Sequence, residues 1–165
     1  MDKFWLDVLK DLTANLFLAI GLIFLNEIIF PKRNVSGEWD ADLTCEKTSY
    51  EPFKGMSTQY KINLLQQGSV ITGHGEKISD INKERGLYTF ETNKRVQIEV
   101  TGYYERNFLR KSKVYLHVFE KGRLRDTSQT FILVFAGKRE LKGRFITTAA
   151  NASGPIFMNR NDSDL

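Results

Sequence analysis

The stretch from residue 12 to residue 30, LTANLFLAIGLIFLNEIIF, constrains this chain more than any other feature of its sequence. A helix over these residues reaches about 28 Å, which is close to the thickness of the hydrocarbon core of a bilayer. Glu27 lies near the end of the stretch, where a carboxylate can reach the lipid headgroups. We therefore predict a membrane span at 12–30, within an N-terminal anchor of residues 1–33.

Two other interpretations of this stretch compete with a membrane span. A secretory signal peptide has a basic start and a small-residue cleavage site, whereas this chain starts with several acidic residues and its apolar run ends in IIFPKR. A buried core helix is the second alternative, because Asn15, Asn26 and Glu27 place polar groups inside the run. The span agrees best with the length and the flanking residues.

Four residues of the stretch fall on one side of the predicted helix. Asn15 and Asn26 are separated by three helical turns and share a stripe with Ala19 and Leu22. Helices in membranes associate through small residues and through amide hydrogen bonds between helices. We expect this stripe to mediate self-association of the anchor.

Charge and cysteine content bound what the rest of the chain does. Residues 1–30 carry a net charge of −2, so the remainder has 22 basic and 16 acidic residues and a net charge of +6. A basic domain suits an anionic ligand or membrane surface. Cys45 is the single cysteine, which excludes an intrachain disulfide and agrees with a reducing compartment. Lys32 and Arg33 directly follow the apolar run and favour a cytoplasmic location for the domain.

After Pro31 the sequence alternates between polar and apolar residues with the period of β-strands. Turn-forming residues separate the alternating runs. The pattern predicts strands at 36–45, 58–66, 70–78, 86–92, 95–104, 113–119, 125–135 and 140–148, and a last short piece at 155–159 that closes the sheet.

Eight or nine strands joined by tight turns, with no helix between them, predict an all-β antiparallel up-and-down barrel over residues 34–160. Glycines inside the strands mark the bends that closure of a barrel requires: Gly73, Gly75, Gly102 and Gly143. A two-sheet sandwich is the alternative. Residues 161–165 read as a frayed tail.

The sequence does not support catalysis or a metal centre. His74 and His117 fall on separate predicted strands, without the spacing of metal ligands and without a serine nucleophile motif nearby. We expect no enzymatic activity, no cofactor and no catalytic residue.

Ligand binding is better supported. Guanidinium groups bind phosphates through paired hydrogen bonds, and aromatic rings stack on nucleobases. A barrel mouth that combines both residue types therefore suits a nucleotide. The candidate ligand-binding residues are Tyr50, Tyr60, Tyr104, Arg125 and Arg144. Tyr50 lies in the loop with Pro52 and Gly55, and Tyr60 and Tyr104 lie on the apolar faces of their strands. By alternation along the strand (its parity), Arg125 falls on the same face as Phe131, and Arg144 on the face opposite to Leu141 and Phe145.

Several segments, spread along the whole predicted barrel, resemble those of one protein family. This family comprises small membrane effectors of bacterial cyclic-oligonucleotide antiphage signalling, which join transmembrane helices to a cyclic-nucleotide-sensing β-barrel. The segments that carry the resemblance are 36–39 (SGEW), 49–50 (SY) with Pro52 and 55–56 (GM), 75–79 (GEKIS), 98–103 (IEVTGY), 122–125 (GRLR), 143–145 (GRF) and 153–154 (SG). The family is described with two membrane helices, whereas this sequence has one such stretch.

The resemblance implies that the barrel senses a cyclic dinucleotide or a related cyclic oligonucleotide. The protein would then form a homo-oligomer and disrupt the cell inner membrane, killing the infected cell, with the barrel in the cytoplasm and no DNA or RNA partner. The competing interpretation is a membrane-tethered carrier of a lipid or small apolar ligand, since Gly37-Glu38-Trp39 also resembles the opening of lipocalins. A structural interaction module on an anchor is the third. A mouth with arginines favours the sensor, and a continuous apolar lumen favours the carrier.

Overall fold

In the computed structural model, residues 3–29, 33–82, 86–90, 95–107, 110–122 and 125–161 are described. The chain divides into two compact units, Met1–Arg33 and Asn34–Leu165. Most of the expected tail, at 162–165, lies outside the described residues.

The first unit contains one helix, α1, which covers Lys3–Ile29. Its described apolar side chains are exposed, including Leu16 and Phe17, and so are Asn15, Ala19 and Leu22 of the predicted stripe. Among the residues that the structure describes, no helix is long and apolar enough to cross a bilayer. The predicted span is therefore unsupported. Its last residue, Phe30, lies outside the described residues, and the side chain of Asn26 is likewise not described.

The second unit is built from nine described strands. In chain order they are β1 (Gly37–Thr44), β2 (Ser57–Gln67), β3 (Val70–Asn82), β4 (Gly86–Thr89), β5 (Gln97–Glu105), β6 (Lys113–Glu120), β7 (Thr127–Phe135), β8 (Glu140–Thr147) and β9 (Ser153–Arg160). Two short 3₁₀ helices, Glu51–Phe53 and Ala149–Asn151, lie in the connections before β2 and β9.

All the strand pairings are antiparallel, and eight strands close into an up-and-down barrel. Each barrel strand pairs with its neighbours around the ring, and β9 pairs with β1 to complete closure. The predicted barrel is thus confirmed, and the sandwich alternative is wrong.

Two of the predicted strands have different roles from those expected. The run predicted at 86–92 forms the short strand β4, which flanks the barrel and, among the described residues, pairs with the end of β3 alone. The reason is that β3 is longer than predicted and its first part pairs with β5 instead. Residues 91 and 92 of this prediction lie outside the described residues. The short piece predicted at 155–159 is a full barrel strand, β9.

Alternating residues of the strands point inward and fill the barrel. The largest fully buried side chains include Trp39, Phe131, Ile62, Leu116 and Met158. Glycines allow neighbouring strands to approach closely where the barrel wall bends: a Cβ at Gly143 would lie 1.8 Å from the carbonyl oxygen of Ile132. The interior is therefore packed over much of its height.

Candidate functional site

We call one end of the barrel the upper mouth: β1, β3, β6 and β8 end there, and β2, β5, β7 and β9 begin there. A cavity of about 200 Å³ opens at this end. One part of its wall is apolar and includes Leu43, Phe53, Met56 and Phe145. The other part is polar and includes Tyr60, Lys77, Asp80, Glu120, Arg125 and Gln129. The cavity therefore offers both an apolar surface and hydrogen-bonding groups to a ligand.

Three side chains from three strands form a hydrogen-bonded cluster in the polar wall. The Tyr60 hydroxyl on β2 donates to Glu120 Oε2 on β6 at 2.9 Å. The Gln129 amide on β7 donates to the Tyr60 hydroxyl at 2.7 Å and to Glu120 Oε2 at 3.2 Å. Tyr60 is 3% exposed and Gln129 is 5% exposed. Buried polar groups of this kind are held rigidly when they satisfy one another, so the cluster gives the cavity a defined polar surface.

A second polar group lies beside the cluster at the end of β3. Lys77 Nζ is 2.8 Å from Asp80 Oδ2 and 3.9 Å from Glu120 Oε1. Thr58 donates to the other oxygen of Asp80 at 2.8 Å. The ring of Phe90 lies beneath the lysine, with 5.6 Å between Nζ and the ring centroid. The lysine is thus held by a carboxylate and an aromatic face rather than left free.

Burial strongly raises the pKa of the Tyr60 phenol, and the negative charge of Glu120 raises it further. The phenol therefore stays protonated and keeps its role as a hydrogen-bond donor to the carboxylate. Burial also raises the pKa of the Cys45 thiol, which lies in the cavity wall. This thiol is a small apolar lining group rather than a reactive nucleophile.

The rim of the cavity carries an aromatic pair and an arginine. The 3₁₀ helix Glu51–Phe53 places the ring of Phe53 in the wall, and Tyr50 contacts this ring edge-on with 5.1 Å between centroids. Arg125, just before β7, also lines the cavity and is exposed. Among the described residues, no carboxylate forms an ion pair with Arg125. Its guanidinium is accordingly available to an anionic group.

The structure brings some of the predicted ligand-binding residues together and separates others. Tyr60 and Arg125 line the cavity, and Tyr50 reaches its rim through Phe53. Tyr104 is buried near the opposite end of the barrel, where it pairs with Val114 and packs against Phe135. Arg144 faces outward, as its parity indicates, with Nη2 at 3.7 Å from the Glu46 carboxylate. Tyr104 and Arg144 are therefore not part of this cavity.

Sequence reasoning missed the residues that give the cavity its polar wall: Lys77, Asp80, Glu120 and Gln129. A signal for two of them was present. Gln129 shares the inward parity of Phe131 and Leu133, and Glu120 shares that of Val118, so each is a polar residue on an apolar face. Asp80 shows no such pattern in the sequence. A bulge opposite Gln59 and Tyr60 shifts the alternation of β3, so the residues of β3 after the bulge point to the other face.

A second hollow, of about 380 Å³, lies on the outer surface of β1 and β2. Its two basic groups already pair with neighbours: Lys61 with Glu38 at 2.9 Å, and Arg95 with Glu76. His74 and His117 also lie on the outer face of their strands, away from the cavity. Within the described residues, no group of His, Cys, Asp and Glu side chains is arranged to hold a metal ion.

Comparisons with known proteins add one structural likeness. No protein-family model matches the chain, and no curated protein matches it. One solved structure that it resembles is a redesigned β-barrel with 12% sequence identity and a TM-score of 0.49, in an alignment that covers 78% of this chain and 92% of the other.

Proposed function

We propose that the barrel is a sensor that binds a cyclic dinucleotide, or a related cyclic oligonucleotide, at its upper mouth. The observation that carries this proposal is the composition of the cavity wall. Tyr60, Glu120 and Gln129 present a hydrogen-bonding surface, apolar side chains form the rest of the wall, and Arg125 stands at the rim. A nucleobase has the matching properties, with two apolar faces and a polar edge.

The size of the cavity determines how much of such a ligand enters. Sites that enclose a drug-sized ligand measure about 300–1,000 Å³. The cavity here, at about 200 Å³, accommodates one base rather than a whole cyclic dinucleotide. The ring of Phe53 offers a contact for the base, while the phosphates stay at the rim near Arg125.

The same observations count against the lipid carrier. An alkyl chain needs a continuous apolar lumen, but buried side chains such as Trp39, Phe131 and Met158 occupy the barrel below the cavity. The space that remains has charged groups in its wall, and an apolar chain would exclude water from them. The closed, packed barrel therefore favours a small polar ligand.

The proposed activity extends the family resemblance: ligand binding drives homo-oligomerisation, and the assembled protein disrupts the cell inner membrane in antiphage defence. In this proposal α1 anchors the chain and the barrel lies in the cytoplasm. The exposure of the apolar side chains of α1, such as Leu12 and Phe17 at 68% and 74%, favours burial of this helix in lipid. Extraction from membranes with carbonate tests the anchor, because carbonate releases proteins that no segment holds in the bilayer. Release of the full-length chain into the supernatant would exclude the anchor.

Thermal unfolding of the full-length chain in detergent tests the ligand. A ligand at about one hundred times its Kd stabilises the folded state by about 2.7 kcal/mol. We expect cyclic dinucleotides to raise the Tm and Arg125→Ala to reduce that shift, because the variant removes the rim guanidinium. Arg144→Ala is the matched control, since this arginine lies on the outer face. Tyr50→Ala should weaken the shift through loss of the ring that supports Phe53. A shift with oleate but with none of the nucleotides would instead support the carrier.

A further inference from the structure

The hydrogen bonds of the polar cluster determine which of its atoms remain available. An ionised carboxylate only accepts hydrogen bonds, so the Gln129 atom at 3.2 Å from Glu120 Oε2 must belong to the NH₂ group. The same NH₂ group donates to the Tyr60 hydroxyl, whose own proton then points to Glu120. The donors of Gln129 and Tyr60 are therefore used within the cluster.

The atoms left over are acceptors. Glu120 Oε1 has no hydrogen-bond donor within reach among the described residues, and its nearest cation, Lys77 Nζ, is 3.9 Å away. That lysine is held more closely by Asp80, at 2.8 Å. The carbonyl oxygen of the Gln129 side chain likewise receives no hydrogen bond from any described residue. Both residues line the cavity, so the cluster presents two acceptor oxygens that receive no hydrogen bond from a described residue, one on Glu120 and one on Gln129.

A pair of acceptors recognises a ligand edge that carries donors. Guanine has two adjacent donors on its Watson–Crick edge, N1–H and the 2-amino group, which match a carboxylate and a neighbouring carbonyl oxygen. Adenine has an amino group beside the N1 acceptor, and that acceptor would face Glu120 unfavourably. Uracil has one donor between two carbonyl oxygens. We infer that the cavity selects guanine, so that the preferred ligand is a cyclic dinucleotide that contains this base.

This inference rests on the proposed nucleotide-sensing function and goes beyond it by naming the base. Glu120 is the residue that would determine the choice, through Oε1. Tyr60 and Gln129 act as positioning residues, because they hold Oε2 and so orient the carboxylate.

Isothermal titration of the full-length chain in detergent, with cyclic di-GMP, cyclic di-AMP and cyclic di-IMP, tests the inference. Hydrogen bonds to a charged acceptor contribute enough that we expect cyclic di-GMP to bind about tenfold or more tightly than cyclic di-AMP. Cyclic di-IMP lacks the 2-amino group and should bind more weakly than cyclic di-GMP. This comparison uses the wild-type protein, so it does not depend on the folding of any variant.

A variant then assigns the preference to one side chain. Glu120→Gln should remove the preference for cyclic di-GMP over cyclic di-AMP, while Glu99→Gln on the outer face should retain it. Binding of cyclic di-AMP as tight as that of cyclic di-GMP would overturn the guanine inference and leave the sensor proposal intact. Binding of none of the cyclic dinucleotides would overturn the sensor proposal itself, and the inference with it.

Discussion

Replacement of Tyr60 by phenylalanine probes the polar cluster directly. The substitution keeps the buried ring and removes only the hydroxyl, which is 2.9 Å from Glu120 Oε2 and 2.7 Å from the Gln129 amide. A hydrogen bond to a charged group contributes about 1.5–3 kcal/mol, and one between neutral groups about 0.5–1.5 kcal/mol. Water can enter from the cavity and recover part of this loss. We therefore expect Tyr60→Phe to lower the free energy of unfolding by about 2 kcal/mol at pH 7.

Thermal and denaturant unfolding of the full-length chain measure this effect. For a domain of this size, 1 kcal/mol corresponds to about 3–5 °C in Tm, so the expected decrease is about 6–10 °C. Tyr104→Phe is the matched control. Tyr104 is also buried, but no described residue forms a hydrogen bond with its hydroxyl, and we expect a change within about 0.5 kcal/mol. Equal effects of the two substitutions would refute the view that the cluster stabilises the barrel.

The pH dependence of the same comparison provides an independent check. Because the folded-state pKa of Tyr60 is raised above its unfolded value, folding favours the protonated phenol. This stabilisation is fully present below the unfolded pKa of about 10, and it is lost as the pH rises toward the folded-state pKa. Above pH 10 the wild-type protein should lose up to about 1.4 kcal/mol per pH unit from this group relative to Tyr60→Phe. If the stability difference between the wild-type protein and Tyr60→Phe stayed constant from about pH 9 to about pH 11, a range on either side of the unfolded pKa, the raised pKa of the buried phenol would not be its cause.

Two further predictions concern the barrel wall and the helix. Gly143→Ala should prevent folding or strongly lower the Tm, because the added Cβ would lie 1.8 Å from the backbone oxygen of Ile132. Gly21→Ala should be tolerated, because nothing lies within 4 Å of its added Cβ. Thermal unfolding followed by circular dichroism compares the two variants. Replacing Asn15 and Asn26 together by leucine should preserve membrane association and ligand binding but reduce ligand-dependent crosslinking and toxicity, if amide contacts join the helices. A double variant that assembles and kills like the parent would exclude this stripe and leave association to the barrel.

The faces of the strands could be predicted from the sequence by itself. Side chains alternate across a strand, so a run such as Ile98 and Val100 against Glu99 indicates which residues point inward, whatever the partner strand is. The outward position of Arg144 was predictable for the same reason. Closure was also predictable, because short strands with tight turns have few other ways to remove their edges.

The alternation of residues along a strand indicates which face of the barrel wall a side chain lies on, but not its height within the barrel. Tyr60 and Tyr104 share the inward parity, yet one lies at the upper mouth and the other near the opposite end, because that position depends on the register between strands. The role of β4 was decided in the same way, because the end of β3 pairs with β4 while its first part pairs with β5. The role of β9 follows from its pairing with both β1 and β8. The sequence shows neither choice, since several registers satisfy the same alternating pattern.

The candidate site depends most strongly on the tertiary structure. Tyr60 is 60 residues from Glu120 and 69 from Gln129, and the three meet only because the closed barrel brings β2, β6 and β7 together around one cavity. Each residue alone is an ordinary polar side chain on an apolar face. Their hydrogen bonds, and therefore the acceptors they leave open to a ligand, exist only after the packed interior excludes water and the strand registers bring the three groups to the same height.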